Sequence, residues 1–356
     1  MKLKAFVQSI RETAKKVKSY QLICGNQSGD LDSVISSISY ALFADIHDPL
    51  NHHIPVLNFY KSDISSRKDL LLVLSQFEIH RDSLLYLDDL PSISSGVQGL
   101  VLVDHNKPTS NFNEFQITGI IDHHEDEHLA PDANPRIIQR CGSCSTLVAQ
   151  YWTSQGVLLT NELVKFLLAP LIIDTSCLKH RAEEPDFVMF KEYQKFIDPL
   201  EINSWFEELQ SAKFDITGLS MHQIFAKDYK LFEFGVGTDN VLKLVGISSI
   251  VKPYKWLVEN YSDFKDQMDA YLKQQGLDIF VFMTSFEKDG EFNRELGYVT
   301  KDEASNTLMR LALDQNLRAE LELDPIDNTH NVYRQLNVAA SRKQVAPAIK
   351  RALERL

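Results

Sequence analysis

The chain has 356 residues, of which 44% are hydrophobic, enough apolar material for two folded cores. Its formal net charge of −12 argues against a general binder of nucleic acids or of acidic membranes, since both need a basic surface. No run approaches the ~18 uninterrupted apolar residues of a membrane span, and four cysteines are few for a disulfide scaffold. The expectation is therefore an intracellular, cytoplasmic protein acting as a monomer, with neither nucleic acid nor membrane among its partners.

The start, "MKLKAFVQSIRETAKKVKSY", lacks the apolar stretch of a secretory signal. Phe6, Val7, Ile10, Ala14 and Val17 fall near helical spacing and predict an ordinary first helix. Because this start is basic and amphipathic, a mitochondrial presequence, and with it the mitochondrial matrix, stands as the alternative reading.

Up to about Asp174, short apolar runs alternate with helical patterns. "QLIC", "IPVLNF", "LLYL", "GLVLVD" and "ITGIID" read as buried strands, which implies a mostly parallel α/β sheet with flanking helices. Directly after the first strand comes "GNQSGDLDSV", and then Val34, Ile35, Ile38, Ala41 and Leu42 recur at helical spacing. The acidic turn thus sits where a strand feeds a helix, the edge at which open parallel sheets bind ligands. From Glu183 to about Lys213 the chain is polar and helical, with breaks at Pro185 and Pro199, and reads as an interdomain connector. Beyond it, "KLFEF", "VLKLVGISS" and "DIFVFMTSF" read as strands, with helical patterns around Tyr254–Gln275 and Asn306–Leu321, giving a second, smaller α/β domain. The predicted domains are 1–195 and 196–356.

Acidic groups recur just past buried segments. Asp30 and Asp32 follow the first strand, "GLVLVDHN" ends in Asp104 and His105, "ITGIIDHHEDE" in Asp122, His123 and His124, and "LAPLIIDTS" carries Asp174. Singly, each reads as a helix cap or strand end. Together, at one edge of one sheet, their mutual repulsion would oppose folding unless cations sat among them, so the group reads as a metal site. Mostly carboxylate oxygen with an imidazole suits Mg²⁺, Mn²⁺ or Co²⁺, and several aspartates can bridge two such ions about 3.5 to 4 Å apart, an arrangement that clamps a phosphoryl group for attack by water. Hydrolysis of a phosphoester or phosphoanhydride is the expected reaction.

Cys141-Gly142-Ser143-Cys144 has CxxC spacing, which fits redox chemistry, half a zinc site, or simply thiols packed at a helix start; no second CxxC completes a Cys₄ cage. Gly142, Ser143, Ser145 and Thr146 fit equally well as phosphate donors at a helix start or as helix caps.

The motifs "GDLDS", "VDHN", "IDHH" and "LIIDT", in this order, resemble the four metal-binding motifs of the DHH phosphoesterase superfamily. "SRKQVAPAI" and "KDYKLFEF" resemble the second domain of the branch that holds family II pyrophosphatases, prune-type proteins and fungal exopolyphosphatases. "GNQSGDLDS", "CGSCSTLV" and the intact "DHH" look most like the fungal exopolyphosphatases, which remove terminal phosphate from inorganic polyphosphate. The resemblance implies an active site in the cleft between the domains. It implies that Asp30 binds one ion and Asp32 the other, that Asp104 and Asp174 bridge both, and that His123 completes the ligand set of the second ion. By the same likeness His124, Lys230, Arg342 and Lys343 hold substrate phosphate, while Asp122 orients a neighbouring imidazole. Asn26 stands where the pyrophosphatases carry a metal-binding histidine, and is assigned to the substrate side. The alternatives are an inorganic pyrophosphatase, a prune-like nucleotide phosphodiesterase, or a non-enzymatic regulator that binds phosphate.

Overall fold

Helix α1 (Leu3–Lys16) buries Leu3, Phe6, Val7, Ile10 and Ala14, the face that the helical spacing predicts. It opens a unit spanning Met1–Asp215 in a computed structural model that describes residues 2–237, 241–327 and 331–356. Strands β1 (Tyr20–Cys24), β2 (His53–Leu57), β3 (Leu85–Tyr86), β4 (Val97–Val103), β5 (Ile117–Asp122) and β6 (Arg136–Ile138) form one sheet in the order β3-β2-β1-β4-β5-β6. All of its neighbouring pairs are parallel. Burial on both faces is why these strands read as continuous apolar runs; in β4, Leu100, Val101, Leu102 and Val103 are all in the core.

From β1 the chain steps outward to β2 and β3, then returns across β1 to build β4, β5 and β6 on the other side. The reversal between β1 and β4 leaves a crevice at their carboxyl ends, the switch point at which such sheets bind ligands. Helices α2 (Leu31–His47), α3 (Lys68–Gln76), α4 (Leu90–Ile93), α5 (Cys144–Ser154), α6 (Asn161–Asp174), α7 (Glu184–Tyr193) and α8 (Pro199–Phe214) complete the unit.

The stretch read as an interdomain connector is instead part of this unit. Helices α7 and α8 bury Met189, Tyr193, Ile202, Trp205 and Leu209 in the same core as the parallel sheet. The two compact units therefore divide at Asp215 and Ile216, later than the 195/196 boundary, because amphipathic helices in an acidic, polar stretch still carry an apolar stripe.

The second unit, Ile216–Leu356, is built on another six-stranded sheet. It contains α9 (Met221–Lys227), β7 (Tyr229–Val236), β8 (Val241–Ile250), α10 (Tyr254–Asn260), α11 (Phe264–Gln274), β9 (Ile279–Lys288), β10 (Glu291–Thr300), α12 (Glu303–Ala312), α13 (Arg318–Leu321), β11 (Leu323–Asp327), β12 (Val332–Gln335) and α14 (Arg342–Glu354). The order is β11-β12-β10-β9-β8-β7, with β8 and β9 parallel and the other pairs antiparallel. Period-two alternation sends Ile279, Val281 and Met283 into a core with α12 and α14, while Phe280 and Phe282 enter a core with α9, α10 and α11.

Candidate metal centre

The turn after β1 is shaped by Gly29, whose φ of +53° is open to glycine; a Cβ there would lie 2.2 Å from the Phe59 ring. Arg67, buried above the Phe59 ring at 3.9 Å, donates to the carbonyls of Gly29 (2.7 Å) and Ser28 (2.6 Å) and so latches the turn from outside. Asp30 then caps α2, its Oδ1 accepting from the Ser33 N–H at 3.0 Å. Asp32 lies in the first turn of that helix, where a negative charge is favoured.

Asp104 follows β4 in the left-handed region, φ +61°, a conformation that aspartate tolerates better than most residues. Its Oδ2 accepts from Asn26 Nδ2 at 2.6 Å, and its Oδ1 lies 3.0 Å from His123 Nε2. The carbonyl oxygen of the Asn26 side chain accepts from Ser28 N, Ser28 Oγ and Gly29 N, so Asn26 ties the first motif's turn to the second motif's aspartate.

At the end of β5, His123 Nδ1 faces the Cys141 carbonyl at 2.8 Å. That partner makes Nδ1 a donor; without a cation Nε2 also carries a proton toward Asp104, and Nε2 is the nitrogen left to ligate a metal once that proton is displaced. Asp122 is fully buried; its Oδ1 accepts from His124 Nδ1 at 2.8 Å and its Oδ2 from Asn106 Nδ2 at 2.5 Å. Asp104, Asp122, His123 and His124 together bring one potential ligand atom each to within 4.8 Å of one another. Asp30, Asp32 and Asp174 lie outside that tightest group, yet electrostatically near it. His105 turns its Nδ1 to the Val103 carbonyl at 2.9 Å and lies within electrostatic reach of Asp122 and His124.

Charge is crowded here. Burial, with Asp32 and Asp30 nearby, pushes the Asp104 carboxyl well above its usual range. Asp174, the last residue of α6, is pushed up to about 7 by burial and by Asp32 and Asp30, against the pull of Lys213. Burial opposes a charge on His123, but its hydrogen bond to Asp104 prevails and raises it to about 10. A pocket that holds protons this tightly on carboxylates and imidazole, with hard oxygen donors and one oriented Nε2, fits a divalent cation. Lys213 Nζ lies 3.3 Å from Asp174 Oδ1 and has Asp69 and Asp30 as further charged neighbours.

The chain matches the description "DHH family, N-terminal domain" over residues 21–171 and "DHHA2 domain" over residues 207–352. The chain belongs to the DHH superfamily. A Schizosaccharomyces pombe protein named "Putative exopolyphosphatase" is 28% identical, with 98% of this chain and 97% of that protein covered. The human "Exopolyphosphatase PRUNE1" is also 28% identical, covering 98% of this chain and 79% of its own. These relatives put this DHH chain in the prune and exopolyphosphatase branch. A solved Methanococcus jannaschii "putative family II inorganic pyrophosphatase" shares the fold, with a TM-score of 0.63 at 21% identity over 94% of this chain and 99% of that one.

The helix start at "CGSCST" does not present its donors to an open site. Asp32 Oδ1 accepts from Ser143 Oγ (2.7 Å) and Ser145 N (2.9 Å), and Oδ2 from Cys144 N (2.6 Å), while Thr146 Oγ1 donates to Asp186 (2.9 Å). Both thiols are buried and reduced, and burial pushes each upward in pKa, which suppresses the thiolate that redox chemistry or zinc would need. In the second unit, Lys230 is exposed on β7, and Lys343 follows Arg342 in the first turn of α14. Arg342 itself is engaged: Nη1 donates to the Asp228 carbonyl at 2.7 Å and Nη2 to its carboxylate at 2.5 Å. Sequence reasoning missed Arg67, Asp186 and Lys213, none of which lies in a motif; only the packing of α3, α7 and α8 shows their place.

Proposed function

We propose that this DHH-superfamily phosphohydrolase is an exopolyphosphatase that uses two divalent cations, Mg²⁺ or Mn²⁺ with Co²⁺ as a substitute. When bound, the cations supply activation of water and neutralise charge on the phosphoryl group. Asp30, Asp32, Asp104, His123 and Asp174 hold them. His124, with its Nδ1 fixed by Asp122, Lys230, Arg342 and Lys343 grip the phosphate oxygens, where charge-assisted contacts that strengthen as the transition state forms favour cleavage. The oxygen of water bonds to the terminal phosphorus, the phosphoanhydride bond breaks, and orthophosphate and a chain one unit shorter leave.

The observation that carries the polyphosphate reading is Asn26. Asparagine brings no imidazole to the place where the pyrophosphatases carry a histidine, and its amide is spent on Asp104 and on the Ser28–Gly29 turn.

Incubation with Mg²⁺ or Mn²⁺ and polyphosphates of defined length, with the products resolved by size and pyrophosphate as a parallel substrate, tests the reading. Orthophosphate beside long residual chains is expected; early mid-sized fragments, or pyrophosphate as the much better substrate, refute it. Asp104→Asn and Asp174→Asn should each nearly abolish turnover, and retention of more than roughly a tenth of wild-type activity at saturating metal would remove these residues from the two-cation role.

A further inference from the structure

Asp186, at the start of α7, is fully buried and accepts four hydrogen bonds. Its Oδ1 takes the Cys141 thiol (3.1 Å) and the Thr146 hydroxyl (2.9 Å), and its Oδ2 takes the N–H groups of Gly142 (2.6 Å) and Glu183 (2.9 Å). Three of these donors belong to the turn and first residues of α5. The approach is close enough to need glycine, since a Cβ on Gly142 would meet Thr175 Cγ2 at 2.4 Å and Asp186 Oδ2 at 2.9 Å. What the turn holds is the centre itself. Its Cys141 carbonyl sets the ring of His123, and its Ser143, Cys144 and Ser145 donors set both oxygens of Asp32.

We infer that Asp186 is a positioning residue for the metal centre: through one clamped turn it fixes the orientation of two cation ligands that come from different parts of the fold, His123 after β5 and Asp32 in α2. The inference rests on the reading of those two residues as ligands. It also gives the CxxC a use: Cys141 serves as a hydrogen-bond donor to Asp186 and as the carbonyl behind His123, and neither role needs a thiolate. A carboxylate accepts all four donors; an asparagine amide loses the charge and turns its NH₂ either on the two backbone N–H groups or on the thiol and hydroxyl, which must then swing round to accept.

Direct Mn²⁺ titration of full-length wild type, Asp186→Asn and Thr146→Val, followed by the electron paramagnetic resonance of free Mn²⁺, tests this without reference to turnover. Loss of such an outer support weakens metal binding by about 10- to 100-fold. That rise in Kd is expected for Asp186→Asn, with a smaller rise for the nearly isosteric Thr146→Val, and kcat should recover toward wild type once Mn²⁺ is saturating. Asp302→Ala, which removes a helix cap in the second unit, should lower Tm and leave the Kd alone. A folded Asp186→Asn protein with wild-type Mn²⁺ affinity overturns the inference; if that variant does not fold, unchanged affinity in Thr146→Val does so. Wild type that binds no Mn²⁺ would sink the metal reading and the inference with it, whereas wild-type binding with unaffected variants sinks the inference alone.

Discussion

Asp174→Asn should make the metal-free protein more stable while it destroys the centre. The Asp174 carboxyl moves from an ordinary value of 3.8 to about 7, chiefly through burial and then through Asp32 and Asp30. At 1.36 kcal/mol per pH unit, that resistance to ionisation is about 4 kcal/mol. The side chain keeps 27% of its exposure, so solvent screening cuts this to about 2 kcal/mol. Lys213 loses one partner in the variant but retains Asp69 and Asp30 as neighbours. At low pH the carboxyl is protonated in both states and the substitution changes little. As pH rises from 3.8 toward 7 the unfolded chain releases its proton while the native state keeps it, so wild type loses stability relative to the variant. Above about 7 the gap is constant. Urea unfolding in the presence of a chelator at pH 5, 6, 7 and 8 measures it, and near pH 8 a gain of about 2 kcal/mol corresponds to roughly 4–8 °C in Tm for a unit of this size. With saturating Mn²⁺ the order should reverse, because a ligand at 100 times its Kd stabilises by about 2.7 kcal/mol and the variant loses that contribution. A variant less stable than wild type at pH 8 without metal, or a gap that ignores pH, would refute the picture of a carboxylate held against its own charge.

Arg67→Leu should cost about 2–4 kcal/mol in urea unfolding and weaken Mn²⁺ binding, because it strips buried carbonyls of Ser28 and Gly29 of a charged donor; equal stability would show that the turn holds itself. Lys343→Ala should lose on the order of 10²-fold in kcat/KM on polyphosphate, with KM rising further as salt is added, and unchanged kinetics would place the phosphate grip elsewhere. Arg342→Ala should lower substrate affinity and also Tm, since its guanidinium braces Asp228; a variant with normal Tm would mean that the brace contributes little.

The sequence by itself carried the parts of this protein that are local. Strands β1, β2, β4 and β5 are buried on both faces and so announce themselves as apolar runs, and Asp30, Asp32, Asp104, His123 and His124 follow them directly because a ligand edge is built where strands end. The resemblance to the DHH motifs was legible for the same reason: each motif is a strand end plus its turn. Elements that depend on distant partners left no such mark. Strand β6 is three residues long, β10 is polar along its outer half, and β11 carries Pro325, so sheet pairing and not composition makes them strands. The connector between Glu183 and Lys213 reads as polar because only one stripe of each helix is apolar, and its docking on the first core is a fact of packing. Tertiary structure alone decided that Lys213 faces Asp174 and that Asp186 grips the turn behind His123 and Asp32. Those pairs lie far apart in the chain, where no periodicity or spacing reaches; the need of a buried charge for partners fixes Asp186, and attraction between opposite charges in a half-buried place sets Lys213 beside Asp174.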